Sequence, residues 1–135
     1  MARSGSAVLD ASVVLRGLAG HQTDAVAWLE RIEQDDVEAA WPTLLYAEVA
    51  NALVYLERAG RIEAAHAQLA LEEAMRIPAS TTEVALLAEP AWHVARERRL
   101  SAYDACYVVL AETLDAPLVT ADRALAAATP NAVVI

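Results

Sequence analysis

Short β-prone apolar runs alternate with longer amphipathic stretches along this 135-residue chain, and that alternation narrows the choice of fold more than any other feature. Ala7-Val8-Leu9 is the first such run and ends at Asp10; Ser12 to Leu18 follows with helical spacing, closed by Gly17 and Gly20. Thr23 to Glu33 sets Val26, Ala27, Leu29 and Ile32 on one side, which predicts an amphipathic helix with Thr23 as its cap. Val37 to Trp41 reads as a second strand stopped by Pro42, and a helix runs from Thr43 to Ala59, where Gly60 ends it. Arg61 to Met75 is the next helix, with Ile62, Ala65, Leu69 and Ala70 as its apolar stripe. Ile77-Pro78-Ala79 reads as a short third strand at a sheet edge, where proline is tolerated. Thr82 to Arg99 is helical with a break at Pro90, and Ser101 to Leu114 opens a further helix. Pro117 to Thr120, Asp122 to Ala128 and Ala132 to Ile135 complete the series as strand, short helix and strand.

Parallel strands need long crossovers, which are usually helices, so this order predicts an α/β fold: a central parallel sheet of four to five strands flanked by helices on both faces. No repeat, linker or low-complexity tract divides the chain, which therefore reads as one domain over residues 1–135, with Met1 to Ser6 as a loose leader. A lone Cys106 forms no internal disulfide or zinc site, and the amino end lacks the shape of a secretory signal. Apolar runs stay far below the eighteen or so residues of a membrane span. A cytoplasmic, non-membrane protein is expected.

The basic residues are ten Arg and no Lys, which removes a P-loop lysine and any Schiff-base chemistry. Against nineteen Asp plus Glu they leave a net charge of −9, which disfavours a broad electrostatic grip on nucleic acid.

In parallel α/β sheets the ligand crevice lies outside the carboxyl ends of the strands, where the strand order reverses. Asp10 ends the first strand, and Asp122 lies just past the fourth; if those strands are neighbours, both carboxylates reach one crevice. Asp104 sits in the first turn of the helix leading into the fourth strand, so it faces the same end. Glu48 interrupts a mainly apolar helix face. Each acid also has an ordinary explanation: Asp10 and Asp122 as helix caps, Asp104 in a capping box with Ser101, and Glu48 reaching solvent or an arginine. Four unrelated caps need not converge, however, whereas these helix and strand ends bring the four acids together. Crowded carboxylates repel unless cations compensate, and hard divalent ions such as Mg²⁺ do so well. Two such ions there would suit phosphodiester hydrolysis by an activated water, and would turn an acidic pocket into a phosphate-binding one.

Val8-Leu9-Asp10-Ala11-Ser12, Tyr46-Ala47-Glu48-Val49-Ala50-Asn51, Leu100-Ser101-Ala102-Tyr103-Asp104-Ala105 and Leu118-Val119-Thr120-Ala121-Asp122-Arg123 stand in an order that resembles the PIN-domain ribonucleases, most of all the toxin half of VapBC-type toxin–antitoxin pairs. The resemblance implies a metal site of Asp10, Glu48, Asp104 and Asp122, with Ser12 and Thr120 as supporting hydroxyls. It also implies Mg²⁺- or Mn²⁺-dependent cleavage of RNA, a homodimer, and an antitoxin whose tail occupies the groove. The chain departs from many relatives after the last acid, where Ala124 to Asn131 offers neither their aromatic residue nor their glycine.

Arg16 and Arg123 are the expected substrate contacts, being nearest the acids, and Asn51 lies one turn beyond Glu48, within reach of its carboxylate. Arg96, Arg98 and Arg99 either guide phosphate or simply close a helix end. His21, His66 and His93 are expected to lie far apart, without metal-site spacing; Cys106, Trp28, Trp41 and Trp92 read as packing residues. The alanine and leucine on several faces between Thr43 and Met75 suit cover by another chain. The alternatives are a DNA-directed nuclease of the same fold, or a non-catalytic binding module acting through its antitoxin partner. A phosphatase of the haloacid-dehalogenase kind is contradicted by Asp10-Ala11-Ser12, which lacks the Asp-x-Asp start.

Overall fold

The computed structural model describes residues 5–135. Its elements are β1 (Ser6–Leu9), α1 (Ala11–Leu18), α2 (Thr23–Glu33), β2 (Glu38–Pro42), α3 (Leu44–Arg58), α4 (Ala64–Arg76), β3 (Ala79–Thr82), α5 (Val84–Arg98), α6 (Ala102–Leu114), β4 (Leu118–Thr120), α7 (Arg123–Ala127) and β5 (Ala132–Val134). The strands form one sheet in the order β3-β2-β1-β4-β5, every pair parallel. The chain moves outward from β1 through β2 to β3, then returns to the other side of β1 with β4. The order therefore reverses between β1 and β4, which are neighbours, with Val8 beside Leu118 and Leu9 beside Val119.

Consecutive residues along the central strands are all buried: Ala7, Val8 and Leu9 in β1, Ala39, Ala40 and Trp41 in β2, and Leu118, Val119 and Thr120 in β4. Because successive side chains point to opposite faces, such runs mean that helices cover the sheet on both sides, as the apolar pattern predicts. α1 packs on α2, α3 and α4, whereas α5 packs on α6, and α6 lies across β1, β2 and β4.

Several local expectations are revised. β1 begins at Ser6, which pairs in register with Glu38, so that residue is strand and not leader; residues 1–4 of the expected leader lie outside the described residues. Thr23 is the first helical residue of α2 and not its cap; Gln22 holds that position with no side-chain cap bond. Ile77 and Pro78 precede the edge strand β3, which starts at Ala79 and continues to Thr82. Pro90 does not break α5. The proline sits on the exposed side, while Leu87 and Ala91 beside it are buried with Ala105 and Cys106 of α6, and that contact offsets the missing amide donor.

α4 starts at Ala64, because Gly60, at φ 70°, ends α3 and Arg61 N–H caps it by donating to Leu56 O at 2.9 Å. Its buried face is Ala67, Ala70 and Ala74; of the expected stripe, Leu69 is 49% exposed and Ile62 lies in the preceding turn. Small residues let α4 approach α1 and α3 closely, which leaves the longer side chains outside.

Candidate active site

Asp10 ends β1 and caps α1, and it is the most constrained of the four acids. Its backbone amide donates to Val119 O of β4 at 3.1 Å, which fixes it at the strand-order reversal. The carboxylate is 6% exposed. One oxygen accepts from Ser12 Oγ at 2.5 Å and from the amides of Ser12 and Val13; the other accepts from Thr120 Oγ1 at 2.5 Å. Each hydroxyl also ties down the chain after β4: Ser12 Oγ accepts from Ala121 N–H at 3.1 Å, and Thr120 Oγ1 from Asp122 N–H at 3.0 Å. The two hydroxyls expected to support the site thus converge on Asp10 from segments more than a hundred residues apart. Burial pushes the Asp10 carboxyl above its ordinary value, against the lowering effect of these hydrogen bonds.

Glu48 lies on α3, half-buried, and accepts a hydrogen bond of 2.6 Å from Tyr107 Oη. Tyr107 is 1% exposed, and burial together with the Glu48 charge holds its phenol far above the usual tyrosine range, so it remains protonated as a donor. The sequence reading passed over Tyr107. Its signal was its position three residues beyond Asp104, one turn along the same face of α6. Burial raises the Glu48 carboxyl, and the charges of Asp104 and Asp10 raise it further, against the opposing Tyr107 bond.

Asp104 stands in the first turn of α6. Ser101 Oγ accepts from its amide at 3.0 Å, so the expected capping by Ser101 is present, and the same hydroxyl acts on the Asp104 carboxyl with a lowering effect. Burial raises its carboxyl, followed by the charge of Asp122. Asp122 is exposed and caps α7, one oxygen accepting from Ala124 N–H at 2.9 Å and Leu125 N–H at 3.2 Å.

The acids therefore form a line of electrostatic neighbours: Asp10 with Glu48, Glu48 with Asp104, Asp104 with Asp122. None of the shifts in Asp10, Glu48 and Asp104 involves a basic neighbour. Among the described residues, no three His, Cys, Asp or Glu side chains are gathered tightly enough to form a single metal cage. A row of oxygen donors that repel one another and lack a cation suits a hard divalent ion held by one or two carboxylates and otherwise by water.

Glu48 and Asn51 line a cleft of about 570 Å³ together with Leu15, Tyr55, Leu56 and Arg61. Asn51 shares that cleft and makes no hydrogen bond to Glu48 among the described residues. Arg16 lies in a neighbouring cleft of about 400 Å³, donating to Gln22 Oε1 at 3.1 Å, and Arg123 is exposed directly after Asp122. Arg98 grips Glu112 with two nitrogens, at 2.7 and 2.9 Å, and donates to Ala128 O at 3.1 Å. It is a clamp between helices.

Cys106 and Trp41 are buried, as expected. Two other expectations are corrected. His21 and His66 do meet, their rings stacked at 5.7 Å, because the turn after α1 and the first turns of α4 adjoin. Trp92 is 51% exposed rather than packed, since it lies on the face of α5 turned away from α6.

The PIN domain family model matches residues 7–129. The chain is 37% identical over 84 residues to "VapC ribonuclease Mb0985" of Mycobacterium bovis and to "Ribonuclease VapC9" of Mycobacterium tuberculosis, covering 62% of this chain and 65% of each relative. The alignment thus spans just under two thirds of those relatives' length. Among solved structures, PAE2754 from Pyrobaculum aerophilum superposes with a TM-score of 0.74 at 32% identity, over 94% of this chain and 81% of that one. VapBC2 from Rickettsia felis, bound to a DNA fragment from its promoter, gives a TM-score of 0.66 at 13% identity, with 96% and 97% of the two chains covered. FitAcB from Neisseria gonorrhoeae gives 0.61 at 18%, with 96% of each covered. The last two share the fold alone.

Proposed function

The chain belongs to the PIN-domain family, and on that premise we propose that it is a Mg²⁺- or Mn²⁺-dependent endoribonuclease, the toxin component of a toxin–antitoxin pair. The observation that supports this reading is the succession of four carboxylates that act electrostatically on one another, Asp10 with Glu48, Glu48 with Asp104 and Asp104 with Asp122, starting from Asp10 at the reversal of strand order. The ribonuclease names of relatives that align over 62% of the chain support the choice of RNA.

Asp10, Glu48, Asp104 and Asp122 would hold one or two ions, and what such an ion supplies when bound is positive charge opposite the phosphate and a more acidic water. The chain's own part is to keep donors in place. Ser12 and Thr120 lock both oxygens of Asp10, while Tyr107 engages only one oxygen of Glu48 and leaves the other for the crevice. Asp104 and Asp122 stand at the more open end. Arg16 and Arg123 are the candidates for steadying the phosphate, and Asn51 shares the cleft wall with Glu48.

The partner is a cognate antitoxin whose tail occupies the cleft running from Glu48 past Leu15 and Leu56 to Arg61. The likeness to VapBC2 and FitAcB supports this choice. A homodimer would cover the exposed Val54, Tyr55, Leu69 and Met75 of α3 and α4. Among the described residues no helix is long and apolar enough to cross a membrane, and the setting proposed is cytoplasmic.

The test is cleavage of labelled RNA by the purified chain with Mg²⁺ or Mn²⁺, with and without chelator, beside a DNA of matching sequence. Metal-dependent cleavage of RNA supports the reading; cleavage of DNA alone, or of neither, overturns it.

A further inference from the structure

The carboxylate line does not use an aromatic and cationic surface that lies on α5. Trp92 and Arg96 stand at i and i+4 and so share one face of that helix, and Arg99 follows at its C-terminal cap. All three are exposed, while Leu87 and Ala91 occupy the buried face. The Arg96 guanidinium carbon lies 4.4 Å from the Trp92 ring centroid, and the His93 ring meets the same indole edge-on at 4.9 Å. Arg98, facing inward, is spent on Glu112, whereas Arg96 and Arg99 make no ion pair among the described residues. Glu89 borders the face at its far end.

We infer that this face of α5 binds the single-stranded RNA that flanks the scissile phosphate. The inference rests on the proposed ribonuclease reading. Trp92 offers a flat surface that stacks on any base, and the guanidinium beside it adds cation–π attraction and a phosphate contact. From Trp92 to Arg99 the helix advances only about 10 Å. The chain then turns through Arg99, which caps α5 in a left-handed conformation at φ 58°, and starts α6 at Ala102, with Asp104 in its first turn. The stripe therefore leads to the edge of the carboxylates. On a chain of net charge −9 such local cations are what a polyanion needs. A protein partner would also use Trp and Arg, and what distinguishes a polyanion is the salt dependence of its binding.

The test is fluorescence anisotropy with a labelled single-stranded RNA in chelator, which separates binding from cleavage, across a salt series. Trp92→Ala weakens binding about tenfold, and Trp92→Phe restores most of it. Arg96→Gln and Arg99→Gln each lower the slope of log affinity against log salt by about 0.7. Unchanged affinity and slope in all variants, or no RNA binding by the parent chain, overturns the inference. So does a Trp92→Ala variant that changes oligomeric state on a sizing column while binding RNA normally; this face would then be an interface between copies. Cleavage that persists while the variants bind as the parent does sinks the α5 assignment alone. Binding through the stripe without metal-dependent cleavage sinks the nuclease reading alone.

Discussion

Replacing Thr120 by valine tests the network around Asp10 without reference to function. The side chain is fully buried, and valine preserves its volume, so little packing changes. Two hydrogen bonds go: the hydroxyl no longer donates to Asp10 Oδ2 or accepts from Asp122 N–H. A bond to a charged group contributes about 1.5–3 kcal/mol, and the Asp122 amide, near the surface, recovers most of its loss from water. The expected cost is about 2–3 kcal/mol near pH 7.5, or roughly 10 °C in melting temperature for a domain of this size. The variant also raises the Asp10 carboxyl beyond the shift that burial already imposes. Its penalty is full where Asp10 is ionised and shrinks as pH falls through the folded-state value, because a protonated carboxyl needs the donor less. Urea unfolding in chelator near pH 7.5 and near pH 5, with Thr120→Ser as the hydroxyl-retaining control, measures both effects. A loss under about 0.5 kcal/mol, or one that does not depend on pH, would refute the reasoning.

Asp10→Asn and Asp104→Asn should each reduce RNA cleavage roughly 100-fold or more while the circular dichroism spectrum stays that of the parent, since an ion's charge stabilisation is worth several kcal/mol; full activity in a folded variant removes that residue from the mechanism. Asp10, Glu48 and Asp104 have raised folded-state carboxyls, so the folded chain holds more protons than the unfolded one between the ordinary and raised values. Their contribution to stability consequently falls as pH rises through that window. Thermal melts of the metal-free chain should show this fall, and it should diminish in Glu48→Gln and on adding Mg²⁺; a fall unchanged by both contradicts the assignment. Arg98→Ala should cost about 1 kcal/mol, the clamp being bidentate but partly exposed, and hydrogen exchange should rise in α7 ahead of the rest of the chain.

The parts of the molecule legible in the sequence were those written in short-range patterns. The apolar runs at Ala7 to Leu9 and Leu118 to Thr120 marked β1 and β4, and Asp10 and Asp122 were found by standing at their ends. Legibility failed where orientation between elements decides the outcome. Tyr107 was missed because its place one turn beyond Asp104 says only that it shares that face of α6, and its partner Glu48 lies 59 residues away. Leu69 was expected inside, but helix α4 begins three residues later than its pattern suggests and turns its alanines inward. The contact of His21 with His66 depends on how α1 meets α4, which no local spacing encodes.

Thr120 and Asp10 stand 110 positions apart and meet inside the sheet. A ribosome making this protein releases Asp10 well before Thr120, so a polypeptide stopped between them has a first carboxylate with no β4 beside it. The center assembles only once β4 has emerged, and a product truncated or stalled before Thr120 is left without it.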